Sequence, residues 1–439
     1  MIRVLPILLL TTTTAWAADL KDDARKFLEL CQTAKYDEAY ARFGPKMAAA
    51  LPKEKLAEVW TNIGGQLGPI ESMAEPQEDR IGASRRVKIL CRFKPMTLEA
   101  LISYDPDGKI EGFFLNTPTP PAAPKAEPPY VDRAKYTEED VVVGADGWPL
   151  PGTLARPKGL ELPALVVLVQ GSGPHDRDET IGPNAPFRDL AHGLASRGVA
   201  VLRYDKRTRT HKSRYADPKA GAAVVVQDEV VDDALASVAK ARTWKGIAPN
   251  RIFVLGHSLG ATTAPMIAEQ DGRLAGVILL AASTRPSADV VREQSDYVRK
   301  VDPVRAKGLD ALDAKLDEHL TALKAGTLGD DDKVLGGAVR YWKSMDATRP
   351  AQRLAEQPNL PALILQGGRD YQVTEADLEA FRRVLPNRPN VTIKLYPDLN
   401  HTFMKGEGKA TPSEYDKPGF VDVRVVEDIA AWVGSVPSH

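Results

Sequence analysis

The sequence predicts an α/β protein whose mostly parallel sheet is covered by helices and preceded by a small α+β domain. From Tyr136 onward, continuous apolar runs such as Ala164–Val169 alternate with amphipathic helical stretches. That alternation is typical of parallel strands buried on both faces. Before residue 117 the order differs, because helical periodicity comes first and strands follow. A proline-rich stretch separates the two patterns.

Length and composition agree with this organisation. The 439 residues leave room for two to three domains. A chain with 43% hydrophobic and 27% charged residues is neither collagenous, disordered nor a polytopic membrane protein. The formal net charge of -1 provides no basic field for nucleic acid or anionic lipid, so we expect no nucleic-acid partner. Two cysteines exclude a disulfide-dense scaffold and a zinc site built mainly on thiolates.

Residues 1–17 have the pattern of a secretory signal peptide. Arg3 supplies a positive start, Val4–Leu10 is apolar, and Ala15-Trp16-Ala17 forms an A-x-A cleavage site. The apolar run is shorter than the roughly 20 residues that a membrane span needs. We therefore expect cleavage after Ala17, a periplasmic or secreted protein, and no membrane insertion after cleavage.

Residues 18–116 form the predicted N-terminal α+β domain, in which we find no cluster of catalytic residue types. Helical spacing predicts helices over Asp22–Thr33, Tyr36–Phe43 and Lys53–Gly64, and alternation predicts strands over Arg86–Phe93, Leu98–Tyr104 and Ile110–Leu115. Cys31 and Cys91 leave two alternatives open. They form one disulfide in an oxidising compartment, or they are separate buried thiols.

A linker over residues 117–135 is predicted because residues 117–129 contain six prolines. The α/β domain then covers residues 136–439. Its apolar runs predict a continuous helix over Ala223–Trp244 and a series of buried strands. Residues 284–358 interrupt the alternation with a charged, helical pattern that lacks strand signals. We interpret this segment as a helical cap inserted over the sheet.

The motif Gly256-His257-Ser258-Leu259-Gly260 matches G-x-S-x-G and predicts a nucleophilic serine. It follows the apolar strand Ile252–Leu255 and precedes an amphipathic helix, which is the strand–turn–helix setting of a nucleophile elbow. Small residues at both ends of the motif let neighbouring backbone approach. The alternative is an ordinary glycine-rich turn, so the assignment of Ser258 depends on partner residues.

A serine nucleophile needs a base and an acid, which follow it in the order Ser, acid, His in this architecture. Asp370 ends the loop after the apolar strand at 362–366, and His401 follows the strand Val391–Tyr396. Both positions lie past the carboxyl end of a strand, where sites form in open α/β sheets. We predict that Ser258, Asp370 and His401 are catalytic. Asp398 is an alternative acid, although its place in the loop of the histidine favours a role in the turn.

An oxyanion hole is the third requirement of such a site. The strand 165–169 runs into Gly171-Ser172-Gly173-Pro174, whose backbone N–H groups are candidates. We expect one donor from Leu259 and the other from Ser172 or Gly171, with Ser172 preferred. The alternative is a loop that only turns the chain. The following charged run, His175–Asp178, is interpreted as a network that fixes the loop.

These motifs together resemble the α/β-hydrolase fold superfamily. The loop Gln170–Asp178, with Gly-Ser-Gly-Pro-x-Asp-Arg-Asp, resembles a bacterial carboxylesterase subgroup whose members carry an uncharacterised N-terminal α+β domain. The resemblance implies an α/β-hydrolase sheet with a helical cap, and hydrolysis of short-chain acyl esters through an acyl-serine, without metal or cofactor. One departure is Thr208-Arg209-Thr210, which replaces the usual glycine-rich continuation after the family-like Arg203–Arg207. The departure concerns the loop that follows, and with it substrate access.

Two other functions are weighed against a small-molecule esterase. A serine peptidase or amidase has the same triad, and it would place acidic residues over the site to bind a free amino terminus. The candidates in the cap, which otherwise form a solvated helix face, are Asp302, Asp310, Asp313, Asp317 and Glu318. The other function is a non-catalytic binding module on the same fold. The sequence does not predict the natural substrate or the oligomeric state.

Overall fold

The computed structural model describes residues 20–81, 84–94, 96–116, 126–215, 218–302, 317–319, 321–322, 325, 327–334 and 337–437. The predicted signal peptide, residues 117–125 of the predicted linker, and Asp310 and Asp313 lie outside the described residues. The chain divides into two compact units between residues 123 and 124. No helix among the described residues is long and apolar enough to cross a membrane.

The first unit places four helices before a five-stranded antiparallel sheet, which confirms the predicted α+β class. Its helices are Leu20–Gln32, Tyr36–Tyr40, Pro45–Ala50 and Lys53–Leu67. Its strands are β1 (Ile70–Met73), β2 (Gln77–Ile81), β3 (Ser84–Phe93), β4 (Thr97–Tyr104) and β5 (Ile110–Asn116). The order is β1-β3-β4-β5, and β2 also pairs with β3. Hydrophobic periodicity in the sequence does not predict Pro45–Ala50, β1 or β2.

Cys31 and Cys91 are free thiols buried in the core of the first unit. Burial raises the pKa of the Cys31 thiol to about 12. Burial likewise raises the pKa of Cys91 to about 11. Of the two alternatives left open by the sequence, the structure has separate buried thiols that pack as small hydrophobic side chains.

The second unit contains an eight-stranded mixed sheet covered by helices on both faces, which confirms the predicted α/β class. Its strands are β6 (Tyr136–Val143), β7 (Leu150–Pro157), β8 (Leu165–Val169), β9 (Ala200–Tyr204), β10 (Ile252–His257), β11 (Gly276–Leu280), β14 (Ala362–Gly367) and β15 (Val391–Tyr396). The order is β15-β14-β11-β10-β8-β9-β7-β6. Only the β6–β7 and β7–β9 pairs of this sheet are antiparallel. Successive residues of β8 enter opposite cores, since Val167 packs in one and Val166 and Leu168 in the other.

Helices surround this sheet. The α-helices in the described part of its main body are Pro186–Ala195, Arg207–Thr210, Pro218–Ala223, Asp232–Ala241, Leu259–Asp271, Glu375–Val384 and Val423–Ser435. The long helix predicted over Ala223–Trp244 is present over the shorter range from Gln227 to Ala241, and it is not α-helical throughout. A π-helical turn over Gln227–Val231 precedes the α-helix from Asp232. A π-helical turn holds an extra residue, which interrupts the 3.6-residue period on which the prediction depended.

The predicted cap is helical over Ser287–Val301, Val339–Asp346 and Pro350–Glu356. It also contains a hairpin of two-residue strands, β12 (Lys333–Val334) and β13 (Gly337–Ala338), which the sequence analysis did not predict. Strands this short have no periodicity to detect.

The parallel register aligns the ends of the strands that lead into the candidate site. Gly256 of β10 is opposite Val169 of β8, and Gly367 of β14 is opposite Tyr396 of β15. Parallel strands in register end at one edge of the sheet, so the loops that follow them meet there. The segments that begin at residues 170, 258, 368 and 397 therefore share that edge.

Candidate active site

Ser258 occupies a strained turn between β10 and the helix Leu259–Asp271. Its φ of 54° and ψ of -116° lie in a region that L-residues rarely adopt. The Ser258 N–H donates to the Leu280 carbonyl at 2.9 Å, and its carbonyl accepts the Thr262 N–H at 2.9 Å. These two bonds hold the backbone on either side of the side chain, so the serine is fixed at the edge of the sheet.

The two glycines of the motif allow this turn to pack. A Cβ at Gly256 would lie 2.1 Å from the backbone of Gly260. A Cβ at Gly260 would lie 2.0 Å from the carbonyl oxygen of Val169 on the neighbouring strand. Both distances are far below van der Waals contact, so glycine is required at both positions for a steric reason. The close approach predicted from the sequence is present.

Asp370 and His401 are hydrogen-bonded at the same edge. Asp370 Oδ2 lies 2.7 Å from His401 Nδ1, and both side chains are buried. The other carboxylate oxygen accepts the N–H groups of Gln372 at 2.8 Å and Val373 at 3.0 Å. A carboxylate held in this way fixes the orientation of the imidazole and makes Nδ1 the donor nitrogen. Nε2 is then the nitrogen that can accept a proton.

Ser258 and His401 line one cavity of about 1160 Å³. Among the described residues, the Ser258 hydroxyl makes no hydrogen bond to His401; catalytic hydrogen bonds are often long in the free enzyme and tighten when substrate binds. The cap covers part of the cavity with Val290, Tyr341 and Trp342. The cavity is therefore bounded by the sheet edge and the inserted helices.

Asp398, the alternative acid, does not line the described cavity wall. Its carboxylate accepts two hydrogen bonds from Arg424 at 2.8 and 3.0 Å. The bond to the guanidinium lowers the pKa of Asp398 below its ordinary value. The structure thus assigns Asp398 to a surface ion pair and Asp370 to the histidine.

The candidate oxyanion donors differ in their availability. The Gly171 N–H donates to Glu179 Oε1 at 2.7 Å, so it is not free to bind an oxyanion. In the part of the chain that the structure describes, no group accepts the N–H of Ser172. Leu259 is the first residue of its helix, where N–H groups have no intrahelical acceptor. Ser172 and Leu259 therefore remain the candidate oxyanion donors, whereas the N–H of Gly171 is occupied by Glu179.

The charged run after this loop fixes it in place, as the sequence suggested. The Arg177 guanidinium bonds Asp205 at 3.1 Å, and the Asp178 carboxylate accepts from Arg203 at 2.8 Å. Both partners belong to β9 or the residue that follows it. The loop is therefore attached to the neighbouring strand by two ion pairs.

A second acid–histidine pair, Glu179 and His257, lies beneath the first and was missed by the sequence analysis. Glu179 Oε2 is 3.0 Å from His257 Nδ1, and His257 Nε2 is 2.9 Å from the carbonyl oxygen of His401. Burial alone raises the pKa of Glu179 and lowers that of His257. Their mutual attraction outweighs it, so the pKa of Glu179 lies below its ordinary value and that of His257 above. The pair is an ionised bridge between the loop and His401.

A third buried group, centred on Lys206, was also missed. Lys206 Nζ donates to the Gly171 carbonyl at 2.8 Å and lies 2.9 Å from Glu229 Oε1. The Tyr341 hydroxyl of the cap donates to Glu229 Oε2 at 2.7 Å. One signal was available in the sequence, because Glu229 lies between the valine runs Val224–Val226 and Val230–Val231.

The acidic residues predicted for a peptidase do not line the described cavity wall. Asp302, Asp317 and Glu318 are described, and none of them contributes to it. Asp317 instead accepts a hydrogen bond from Arg292. The carboxylates on the described wall are Glu179, Glu229 and Asp346, and the last accepts the Ser287 N–H at 2.8 Å.

Family models and a known protein match this chain. A family model described as serine aminopeptidase, S33 matches residues 164–408, and a family of unknown function matches residues 24–113. The chain is 36% identical over 414 residues to Esterase EstD of Thermotoga maritima, and the match covers 94% of each chain.

The solved structures to which the chain is similar are more distant in sequence. Est1E from Butyrivibrio proteoclasticus is 17% identical with a TM-score of 0.42, over 67% of this chain and 95% of that one. The 2,6-dihydroxy-pseudo-oxynicotine hydrolase is 19% identical with a TM-score of 0.42, over 68% and 67% of the two chains.

Proposed function

Because the chain belongs to the serine aminopeptidase S33 family of α/β-hydrolases and is a serine hydrolase, we propose that it is an exported carboxylesterase. It cleaves short-chain acyl esters through an acyl-serine intermediate. The observation that carries the proposal is the 2.7 Å hydrogen bond that His401 Nδ1 donates to Asp370, beside the strained turn of Ser258. The acyl-chain length rests on the resemblance to bacterial carboxylesterases.

Acylation begins when Ser258 Oγ attacks the acyl carbon of the ester. His401 Nε2 takes the hydroxyl proton, and Asp370 stabilises the imidazolium that forms. The carbonyl oxygen becomes an oxyanion that accepts hydrogen bonds from the N–H groups of Leu259 and Ser172. The helix that begins at Leu259 directs the positive end of its dipole at this charge.

The intermediate then collapses. The bond between the acyl carbon and the alcohol oxygen breaks, and the imidazolium gives its proton to the leaving alcohol. Water repeats the sequence on the acyl-serine. His401 Nε2 takes a proton from water as the water oxygen attacks the acyl carbon. The bond from the acyl carbon to Ser258 Oγ then breaks, and the imidazolium returns the proton to Oγ as the acid leaves. No step needs a group beyond the side chains and N–H groups named here.

Replacing the nucleophile tests this mechanism. We expect Ser258→Ala to lower kcat for a nitrophenyl short-chain ester by roughly 10⁴-fold or more, because the attacking oxygen is lost. Ser237→Ala is a matched control, since Ser237 is buried in a helix outside the cavity and is expected to stay within about twofold of wild type. Activity of Ser258→Ala within about tenfold of wild type would refute the assignment.

A non-catalytic binding module is separated from an enzyme by covalent labelling. A fluorophosphonate reacts with a serine only when a base activates it and donors stabilise the phosphonyl oxygen. We expect the folded protein to label at Ser258 and Ser258→Ala not to label. Absence of labelling in folded wild-type protein would favour the binding module.

A serine peptidase is a second candidate, because the matching family model is described as an aminopeptidase. Turnover of an aminoacyl nitroanilide should be compared with that of the nitrophenyl ester of the same acyl group. We expect the ester to have the higher kcat/KM by at least about tenfold. A higher value for the anilide would reverse the order of the two candidates.

Export is the remaining element of the proposal, and it rests on the pattern of residues 1–17. Expression in a Gram-negative host, followed by fractionation and N-terminal sequencing, tests it. We expect the mature protein outside the cytoplasm with Ala18 as its first residue. Recovery of the full-length chain from the cytoplasm would contradict export.

A further inference from the structure

The peptide that joins Gly171 to Ser172 has a charged group bonded to its carbonyl, and its N–H is one of the two oxyanion donors of the proposed mechanism. Its carbonyl accepts a hydrogen bond from Lys206 Nζ at 2.8 Å. In a trans peptide the C=O and N–H bonds point in opposite directions. A cation that fixes the Gly171 carbonyl therefore also fixes the direction of the Ser172 N–H.

Lys206 is held firmly enough to fix the Gly171 carbonyl. Its side chain is buried, with the residue 2% exposed, and its ammonium lies 2.9 Å from Glu229 Oε1. Glu229 is bonded in turn to the Tyr341 hydroxyl at 2.7 Å. The lysine therefore has two acceptors, one that balances its charge and one on the loop. A lysine that served only to form a structural ion pair would need only the Glu229 carboxylate.

The loop that Lys206 contacts lies directly against the nucleophile. A Cβ at Gly171 would be 3.2 Å from Ser258 Cβ. Gly171 is anchored on its other side as well, because its N–H donates to Glu179 at 2.7 Å. Residue 171 is thus held between an anion and a cation, and the next N–H along the chain is that of Ser172.

We propose that Lys206 is a positioning residue for the oxyanion hole, which it serves by orienting and polarising the Gly171–Ser172 peptide. The inference rests on the proposed function, since it needs Ser172 as an oxyanion donor. A charge-assisted hydrogen bond to a peptide carbonyl draws electron density from the nitrogen and makes its N–H a stronger donor. The effect is largest when the acceptor carries full negative charge, so it favours the transition state over bound ester.

The test compares a ligand that forms an oxyanion with one that does not. A trifluoromethyl ketone adds to Ser258 and develops an oxyanion, whereas the matching secondary alcohol occupies the same cavity without one. We expect Lys206→Met to weaken the ketone about 10- to 100-fold and the alcohol by less than about threefold. With an ethyl ester, kcat should fall in parallel with ketone affinity while KM stays within about threefold.

Two further variants separate positioning from general stability. Lys206→Gln retains a donor without the charge, so we expect an intermediate loss of ketone affinity. Arg207→Met is the matched control: Arg207 is the next buried base along the chain, but its hydrogen bonds at 2.6 and 2.7 Å go to Asp233. We expect it to lower Tm without changing the ratio of ketone to alcohol affinity. If Lys206→Met does not fold, the comparison of Lys206→Gln with Arg207→Met decides the question.

The outcomes distinguish this inference from the proposed function. An inactive wild-type protein, or an active Ser258→Ala, would overturn the esterase itself. An active wild type and an inactive Ser258→Ala, with ketone and alcohol affinities that fall equally in Lys206→Met and Lys206→Gln, would overturn only the role of Lys206. A selective loss of ketone affinity in both variants supports it.

Discussion

Gly260 shows how strongly a single residue can depend on the backbone beside it. Its missing side chain leaves room for the carbonyl of Val169, to which a Cβ would come within 2.0 Å. The obstruction is backbone in the centre of the sheet, so it cannot rotate away as a flexible side chain would. The motif glycine therefore contributes to packing between β8 and the helix after Ser258.

We expect Gly260→Ala to lower the free energy of unfolding by about 3 kcal/mol or more, because β8 and the helix must separate. Gly434→Ala is the matched control, since Gly434 also lies in a helix and a Cβ there would meet no atom within 4 Å. That change should raise stability by about 0.4–1 kcal/mol. Chemical denaturation of the three proteins measures both effects, and equal stabilities would contradict the steric argument.

Single site residues could be predicted where a pattern in the sequence marks their position. Ser258, Asp370 and His401 each follow an apolar strand, so their common edge can be inferred without a structure. Glu179 and Lys206 carry no such signal. Glu179 contacts Gly171 within the loop after β8, whereas Lys206 reaches Gly171 from the end of β9, and this second contact depends on the adjacency of β8 and β9. Sequence spacing does not encode that adjacency.

At the scale of elements, the loop after β8 is joined to the turn of Ser258 by the buried pair of Glu179 and His257. Glu179 is 1% exposed and His257 is 4% exposed, so the two charges stabilise each other with little screening by solvent. Because the pKa of Glu179 is lowered and that of His257 raised, the stability of this contact depends on pH.

The direction in which stability changes with pH follows from the pKa shift of each group. The contribution of Glu179 to the free energy of unfolding is present above its unfolded pKa of about 4.3 and is lost as pH falls through its lower folded pKa. The contribution of His257 to the free energy of unfolding is fully present below its unfolded pKa of about 6.5 and is lost as pH rises through its higher folded pKa. We expect Glu179→Gln to lower Tm most between about pH 4.5 and 6.5, by about 3 °C or more, with a smaller difference at higher pH.

Scanning calorimetry of both proteins from pH 4 to 9 measures this dependence. Glu427→Gln is the control, because Glu427 forms an exposed pair with Arg197 and its loss should change Tm little at any pH. A difference between wild type and Glu179→Gln that is constant across the range would contradict an ionised pair.

Whole elements were predictable in proportion to their apolar content. The central strands are continuous apolar runs, and the sequence gives their limits to within a few residues. β2 has the sequence Gln-Glu-Asp-Arg-Ile, which no hydrophobic alternation marks as a strand. The π-helical turn at Gln227–Val231 is positioned by the bonds of Glu229 to Lys206 and Tyr341, which are tertiary contacts and leave no period in the sequence.

At the scale of the whole molecule, the second unit holds every described residue of the candidate site. The cavity is lined by residues between Gly171 and Tyr415. The first unit has a hydrophobic core of its own around Phe27 and Ile89. The second unit also includes the end of the predicted linker, because Tyr130 donates to the Val421 carbonyl at 2.8 Å and Glu127 lies 3.1 Å from His192. Residues 126–135 therefore stabilise the second unit.

Two truncations test this division. We expect a chain that begins at Ala126 to fold and to keep kcat/KM for a short-chain ester within about tenfold of the mature protein, because the described cavity needs no residue before it. A chain that begins at Tyr136 should have a Tm lower by several degrees, because it lacks two hydrogen bonds to the second unit. One joins Glu127 to His192, a buried side chain that is only 1% exposed, and the other joins Tyr130 to the Val421 carbonyl. Calorimetry and an ester panel of increasing acyl length measure both variants. An insoluble or inactive chain from Ala126 would show that the first unit is required for the folding or activity of the second, whereas a selective change in acyl-length preference would assign the first unit a role in substrate selection.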